Sequence, residues 1–156
     1  ADQAAAAARE LRRIVDGLRP GPLEQLGLPA ALRELTERVT ATGALELSLT
    51  CPDRVPELPL AVEVSAYWIT SEAVTNVVRH SAAGHCDIRV RVDGERLTVS
   101  VSDDGCGVAL VDGDGSGVGL DSMRARAESV GGRVTVGPRD GSGTVVLAEL
   151  PLGVAG

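Results

Sequence analysis

Five short segments of this chain alternate apolar and polar side chains one by one, or nearly so: LELSLT (45–50), CDIRVRV (86–92), RLTVSVS (96–102), RVTVG (133–137) and GTVVLAEL (143–150). A period of two sends successive side chains to opposite faces of a strand, so each segment has one dry face and one wet face. This half-wet pattern implies antiparallel pairing. Asp93-Gly94, between the second and third segments, suits a tight hairpin because both positions tolerate positive φ. A sheet with one dry side needs cover, and helical patterns between the strands provide it. One is LPAALRELTERVTATG (28–43), with Pro29 fit for a first turn and Gly43 for a C-terminal cap. Another ends in SEAVTNVVRH (71–80), and a third is LDSMRARAESVGG (120–132). The expected fold is a two-layer α/β sandwich: a mixed, mostly antiparallel sheet of about five strands with about three helices on one face.

Chain length bounds the rest. The 156 residues, 44% of them hydrophobic, suffice for one packed domain and fall short of two. Residues 1–19 read as a separate helix with apolar positions at Ala4, Ala7, Ala8, Leu11, Ile14, Val15 and Leu18, close to a heptad seam. RPGP then stops it, which puts a boundary near residue 22: residues 1–22 as a helix tail plus linker, 23–156 as the main domain. The net charge is −7 and no residue is Lys, which argues against direct nucleic-acid binding. Cys51, Cys86 and Cys106 form no close pair and no metal spacing, consistent with a reducing, cytoplasmic setting. No apolar run approaches the roughly 20 residues of a spanning helix. The only methionine is Met123, which fits a piece of a longer protein, one that a membrane anchor elsewhere would not contradict.

Three constellations carry chemistry. The first lies on the helix ending SEAVTNVVRH. At about 100° per residue, Ala66, Tyr67, Thr70, Ala73, Val74, Val77 and Val78 form a wide apolar arc. Ser65, Glu72, Asn76 and Arg79 share a narrow stripe opposite, with His80 at its edge. A stripe facing water is the plain interpretation. Yet Asn is a poor helix-interior residue, and Glu72, Asn76 and Arg79 align a carboxylate, an amide oxygen and a cation, groups suited to Mg²⁺ and phosphate. The second is SDDGCG, where Asp103 leaves a strand and Gly105 and Gly107 let a ligand approach. An ionised carboxylate only accepts hydrogen bonds, so it suits the adenine amine and repels the guanine carbonyl. The third is GDGSGVGL (113–120), glycines at alternate positions before a helix whose first amides could hold phosphate.

The order Glu-x-x-x-Asn, Asp-x-Gly-x-Gly, Gly-x-Gly-x-Gly, then GSGT at 141–144, resembles the ATP-binding domain of gyrase-type topoisomerases, MutL and sensor histidine kinases. Within that group LRRIVDGLRPGPLEQLGLPAALREL, SEAVTNVVRHS, GVGLDSMRARAESVGG and GSGTVVLAELPL look like a histidine kinase of the type that partners NarL/LuxR-like response regulators. The resemblance implies a Bergerat-type fold that binds ATP and Mg²⁺. It makes Glu72 the acidic, catalytic residue and Asn76 the metal ligand. Arg79 and His80 would lie near the phosphates, and Asp103, Gly105, Gly107 and Thr144 around adenine. Gly115, Gly117, Gly119 and Leu120 would shape the phosphate end. It also implies an upstream dimerisation domain bearing the acceptor His, and a homodimeric parent. The only His residues here are His80 and His85, neither a good acceptor. Two other classes share parts of the pattern: an anti-sigma-factor serine kinase, and a nonenzymatic nucleotide-sensing module. The heptad remnant and LRP linker disfavour the first, and intact Glu72 and Asn76 the second.

Overall fold

The computed structural model describes residues 21–105, 117–139 and 141–153, without the side chains of 21–26, 80, 81, 117 and 118. The heptad-like segment 1–19 lies outside them. Helix α1 is Gly21–Ala41, but Gly27 sits at φ 81°, ψ 171°, so the regular helix begins beyond it with Pro29 in its first turn. It ends where Thr42 and Gly43 donate to Val39 and Thr40, with Gly43 at φ 77°. Strand β1 (Glu46–Thr50) follows, then helix α2 (Leu60–Asn76), which runs into a single π-helical turn, Val77–Ser81. The remaining elements are β2 (His85–Val92), β3 (Arg96–Asp103), α3 (Gly117–Glu128), β4 (Arg133–Pro138) and β5 (Thr144–Pro151).

The five strands form one sheet in the order β1-β2-β3-β5-β4, with the three helices against it, as the alternating pattern requires. Ile88, Val90, Leu97, Val99, Val101, Ala148 and Leu150 are buried on the helix side, where they meet Leu32, Ile69, Ala73 and Met123. The other face stays polar. There Arg96 and Arg133 both reach Glu149, at 2.8 and 2.9 Å, exposed pairs of the kind that contribute little to stability.

Three expectations need correction. First, the sheet is mixed and mostly antiparallel as expected, but its parallel pair is β1 with β2, Glu46 opposite His85, where the alternation of LELSLT implied antiparallel pairing. Helix α2 is the reason: it carries the chain back to the end of the sheet where β1 began, as a crossover between parallel strands must. Second, neither Asp93 nor Gly94 takes a positive φ. The hairpin closes instead through the Asp93 carboxylate, which accepts from Glu95 and Arg96 N–H at 2.8 and 2.9 Å. Third, the apolar arc of α2 fails at its C-terminal end, while the polar stripe, as its residue types suggested, does not simply face water. Ser65 is buried and donates to the Arg126 carbonyl of α3 at 3.4 Å, and Glu72 and Asn76 are half-buried. Val78, assigned to the apolar arc, is 43% exposed. The wider π turn holds more residues than an α turn and rotates the residues after Asn76 out of α register, so Val77 stays in the core while Val78 and Arg79 face solvent.

Candidate functional site

β2, β3 and β5 put Cys86, Asp103 and Thr144 side by side, since Cys86 and Thr144 are the two register partners of Asp103. All three are buried on the helix side, Asp103 at 4% exposure and Thr144 at 9%. Burial of a carboxyl among apolar neighbours disfavours its charge. It pushes Asp103 above the usual carboxylate range, against a 2.8 Å hydrogen bond from the Gly105 N–H that works the other way. Burial, reinforced by the Asp103 carboxylate, pushes the Cys86 thiol up to about 12, so Cys86 is an inert wall of the site. The Thr144 hydroxyl is buried with no hydrogen-bond partner among the described residues. Leaving such a group unpaired costs roughly 1–3 kcal/mol, which a bound polar edge would relieve.

Gly143 sets this corner. It holds φ 115°, and a Cβ there would run into the Asp103 carbonyl oxygen and crowd the Asp104 backbone. The same turn is tied down by Ser142, whose hydroxyl donates to the Gly105 carbonyl at 2.9 Å. Gly143→Ala is therefore expected to destabilise the fold by at least the roughly 1–3 kcal/mol of a strained backbone, with the collision added. Thermal melting checks it: a melting temperature equal to wild type contradicts the close approach of β3 and β5.

The other end of the site lies between α2 and α3. Glu72 and Asn76 are one turn apart on α2 and meet the first turn of α3 at Gly119. A Cβ at Gly119 would stand 3.1 Å from Asn76 Nδ2 and from Glu72 Oε2, and 3.2 Å from Asn76 Oδ1. A side chain here would make the ends of Glu72 and Asn76 give by a few tenths of an ångström, so the glycine keeps the helix start close to both without displacing them. A carboxylate and an amide oxygen thus sit together at the amide-rich N-terminal end of α3. No set of three or more His, Cys, Asp and Glu that could cage a metal occurs among the described residues. Two hard oxygens suit Mg²⁺, which keeps waters and shares substrate phosphates rather than demanding an all-protein cage.

Of the residues singled out from sequence, Asp103, Gly105 and Thr144 come together at one end, and Glu72, Asn76 and Gly119 at the other. Gly117 opens α3, which starts three residues before the expected helix, and Leu120 is a core residue behind Gly119. Arg79 is exposed beyond Asn76. The His80 side chain, Gly107 and Gly115 lie outside the described residues. Sequence reasoning gave no role to Ser142 and Gly143, noted only as part of GSGT, or to Asp104.

Residues 61–154 match the family described as histidine kinase-, DNA gyrase B-, and HSP90-like ATPase, and the chain belongs to that family. ATP is its ligand. Within the family it is similar to sensor histidine kinases. It is 30% identical over 146 residues to LiaS of Bacillus subtilis and 33% identical over 151 residues to NarS of Mycobacterium tuberculosis, each alignment covering 94% of this chain. The chain spans 40% and 34% of those relatives' lengths. The histidine kinase domain of the blue-light-activated kinase EL346 of Erythrobacter litoralis superposes with a TM-score of 0.65 at 25% identity, over 80% of this chain and 61% of that one. The fold and sequence are those of the ATP-binding domain of a histidine kinase.

Proposed function

We propose that residues 23–156 are the catalytic domain of a two-component sensor histidine kinase. It moves the γ-phosphoryl group of Mg-ATP to a His on a dimerisation domain to which residues 1–22 lead. The observation that carries this reading is the pairing of two chemically distinct ends: buried Asp103 beside the orphaned Thr144 hydroxyl, and Glu72 with Asn76 against Gly119. The parent protein is a homodimer whose kinase part is cytoplasmic, and its phosphoryl group passes to a NarL/LuxR-type response regulator.

Each residue has a task under this reading. Asp103 accepts from the adenine amine, and the Thr144 hydroxyl supplies the second polar contact on the same edge, with Gly105 and Gly107 leaving room for the ring. Asn76 offers its amide oxygen to Mg²⁺, which when bound neutralises charge across the phosphates. Glu72, beside it, polarises the nucleotide end or acts as the base toward the attacking group. Arg79, exposed in the π turn after α2, would meet the phosphates, a role the resemblance extends to His80. Gly117 and Gly119, in the first turn of α3 with Leu120 packed behind them, shape the phosphate end, a role the resemblance extends to Gly115.

The isolated chain is expected to bind Mg-ATP without labelling itself. His85, one of its two histidines, is held on the polar face of the sheet, Nε2 3.3 Å from Ser48 Oγ and Nδ1 3.9 Å from Glu46. Incubation with γ-labelled ATP, alone and with a separate dimerisation domain, tests this. Label should appear on the added domain only. Acid-labile phosphate on this chain alone overturns the assignment of the acceptor.

A further inference from the structure

Asp104 is the middle residue of the Asp-x-Gly motif, and it is exposed, facing away from the buried row formed by Cys86, Asp103 and Thr144. Its own N–H donates to the His85 carbonyl at 3.2 Å, extending the β2–β3 ladder by one step. The return bond of that step is not made by its carbonyl. The Asp104 carboxylate takes it: Oδ1 accepts from His85 N–H and from Gly84 N–H, each at 3.0 Å. The side chain thus replaces the main chain in the ladder and frees the backbone to turn at Gly105. The Gly105 N–H, in turn, is the donor that holds Asp103 Oδ1 at 2.8 Å. These N–H donors, His85 first, hold the Asp104 carboxyl below its ordinary value, so it is the ionised form that makes the clasp.

What the clasp joins gives it meaning. Gly84 precedes and His85 begins β2, shortly after the π turn and the left-handed Ala82 (φ 55°), the stretch by which α2 leaves Asn76 behind. Gly84 is anchored from the other side as well, its carbonyl accepting from Glu46 N–H of β1 at 3.1 Å. One carboxylate therefore ties the exit of the Glu72/Asn76 helix to the loop after Asp103. We infer that Asp104 is a positioning residue that fixes the distance between the metal-phosphate end and the adenine end of the nucleotide site, without touching the nucleotide. The inference rests on the proposed nucleotide site.

A ligand that spans both ends needs the clasp; a ligand that uses the adenine end alone does not, because Asp103 is held within β3 by strands on both sides. The test compares Mg-ATP and adenosine binding to the whole chain as wild type, Asp104→Ala and Asp104→Asn, with melting curves to show that each variant is folded. Asp104→Ala should weaken Mg-ATP about tenfold, the scale of one or two net hydrogen bonds, and weaken adenosine by less than about twofold. Asn keeps an acceptor oxygen at the same place, so Asp104→Asn should restore Mg-ATP binding to near wild type. Equal losses for both ligands in Asp104→Ala, no loss at all, or no rescue by Asn each overturn the positioning role while leaving the nucleotide site in place. A wild-type chain that fails to bind Mg-ATP overturns the functional reading, and this inference with it.

Discussion

Asp103→Asn is expected to lose ATP affinity by roughly ten- to a hundredfold, the cost of breaking a buried, charge-assisted hydrogen bond, while its gap to GTP narrows. The buried carboxylate can only accept, so it pairs with the adenine amine and opposes the guanine carbonyl. An Asn side chain can rotate to present its NH₂ and so meets either base indifferently. The variant should fold, because Asn keeps the oxygen that accepts from Gly105 N–H.

The same residue makes binding depend on pH. Burial raises Asp103 in the folded protein, so the stability its protonated form gives is fully present below the unfolded carboxylate value and lost as pH rises through the folded one. An adenine amine reverses the preference, because it binds the charged form. Wild-type ATP affinity should therefore fall as pH drops through the raised value, with proton release on binding in that window. Asp103→Asn should show a flatter profile. Calorimetry in two buffers of different ionisation enthalpy separates them; identical profiles would remove Asp103 from the binding step.

Asn76→Ala should act at the other end and through the metal. Its expected loss is roughly 10–100-fold in Mg-ATP affinity, the range found even for groups one step removed from a metal, and close to nothing when EDTA is present. Stability should change little, because Asn76 is only half-buried and Gly119 leaves no packed side chain to undermine. Titration with a fluorescent ATP analogue, with and without Mg²⁺, checks it. Equal losses in both conditions would mean that Asn76 serves the nucleotide or the fold and not the metal.

Local chemistry was legible in the sequence, and pairing was not. The strands showed in their period of two. The candidate residues showed in short motifs because each works within a few positions of its neighbours: Glu72 with Asn76 one turn apart, Asp103 at a strand end before Gly105. Nothing in those spacings said that Thr144 would lie opposite Asp103, since register is settled by which apolar rows share the core. The parallel β1 was hidden for a related reason, because alternation reports a half-covered sheet and not the direction of its strands. The π turn broke a periodicity argument that held as far as Asn76 and failed at Val78. Gly119 drew notice as a phosphate-loop glycine; its closeness to Glu72 and Asn76 is a property of how α2 and α3 cross. Asp104 carried no assigned role in the sequence, and only its two backbone donors, about twenty residues earlier in the chain, reveal the clasp.

The central claim is that this chain holds an adenine nucleotide with its base at Asp103 and its phosphates at Asn76. Calorimetric titration of the wild-type chain with ATP and GTP, in Mg²⁺, tests it most directly. The account predicts saturable ATP binding at least about tenfold tighter than GTP, the scale of one buried acceptor set against another. Equal affinity for the two nucleotides, or no ATP binding at all, would contradict it.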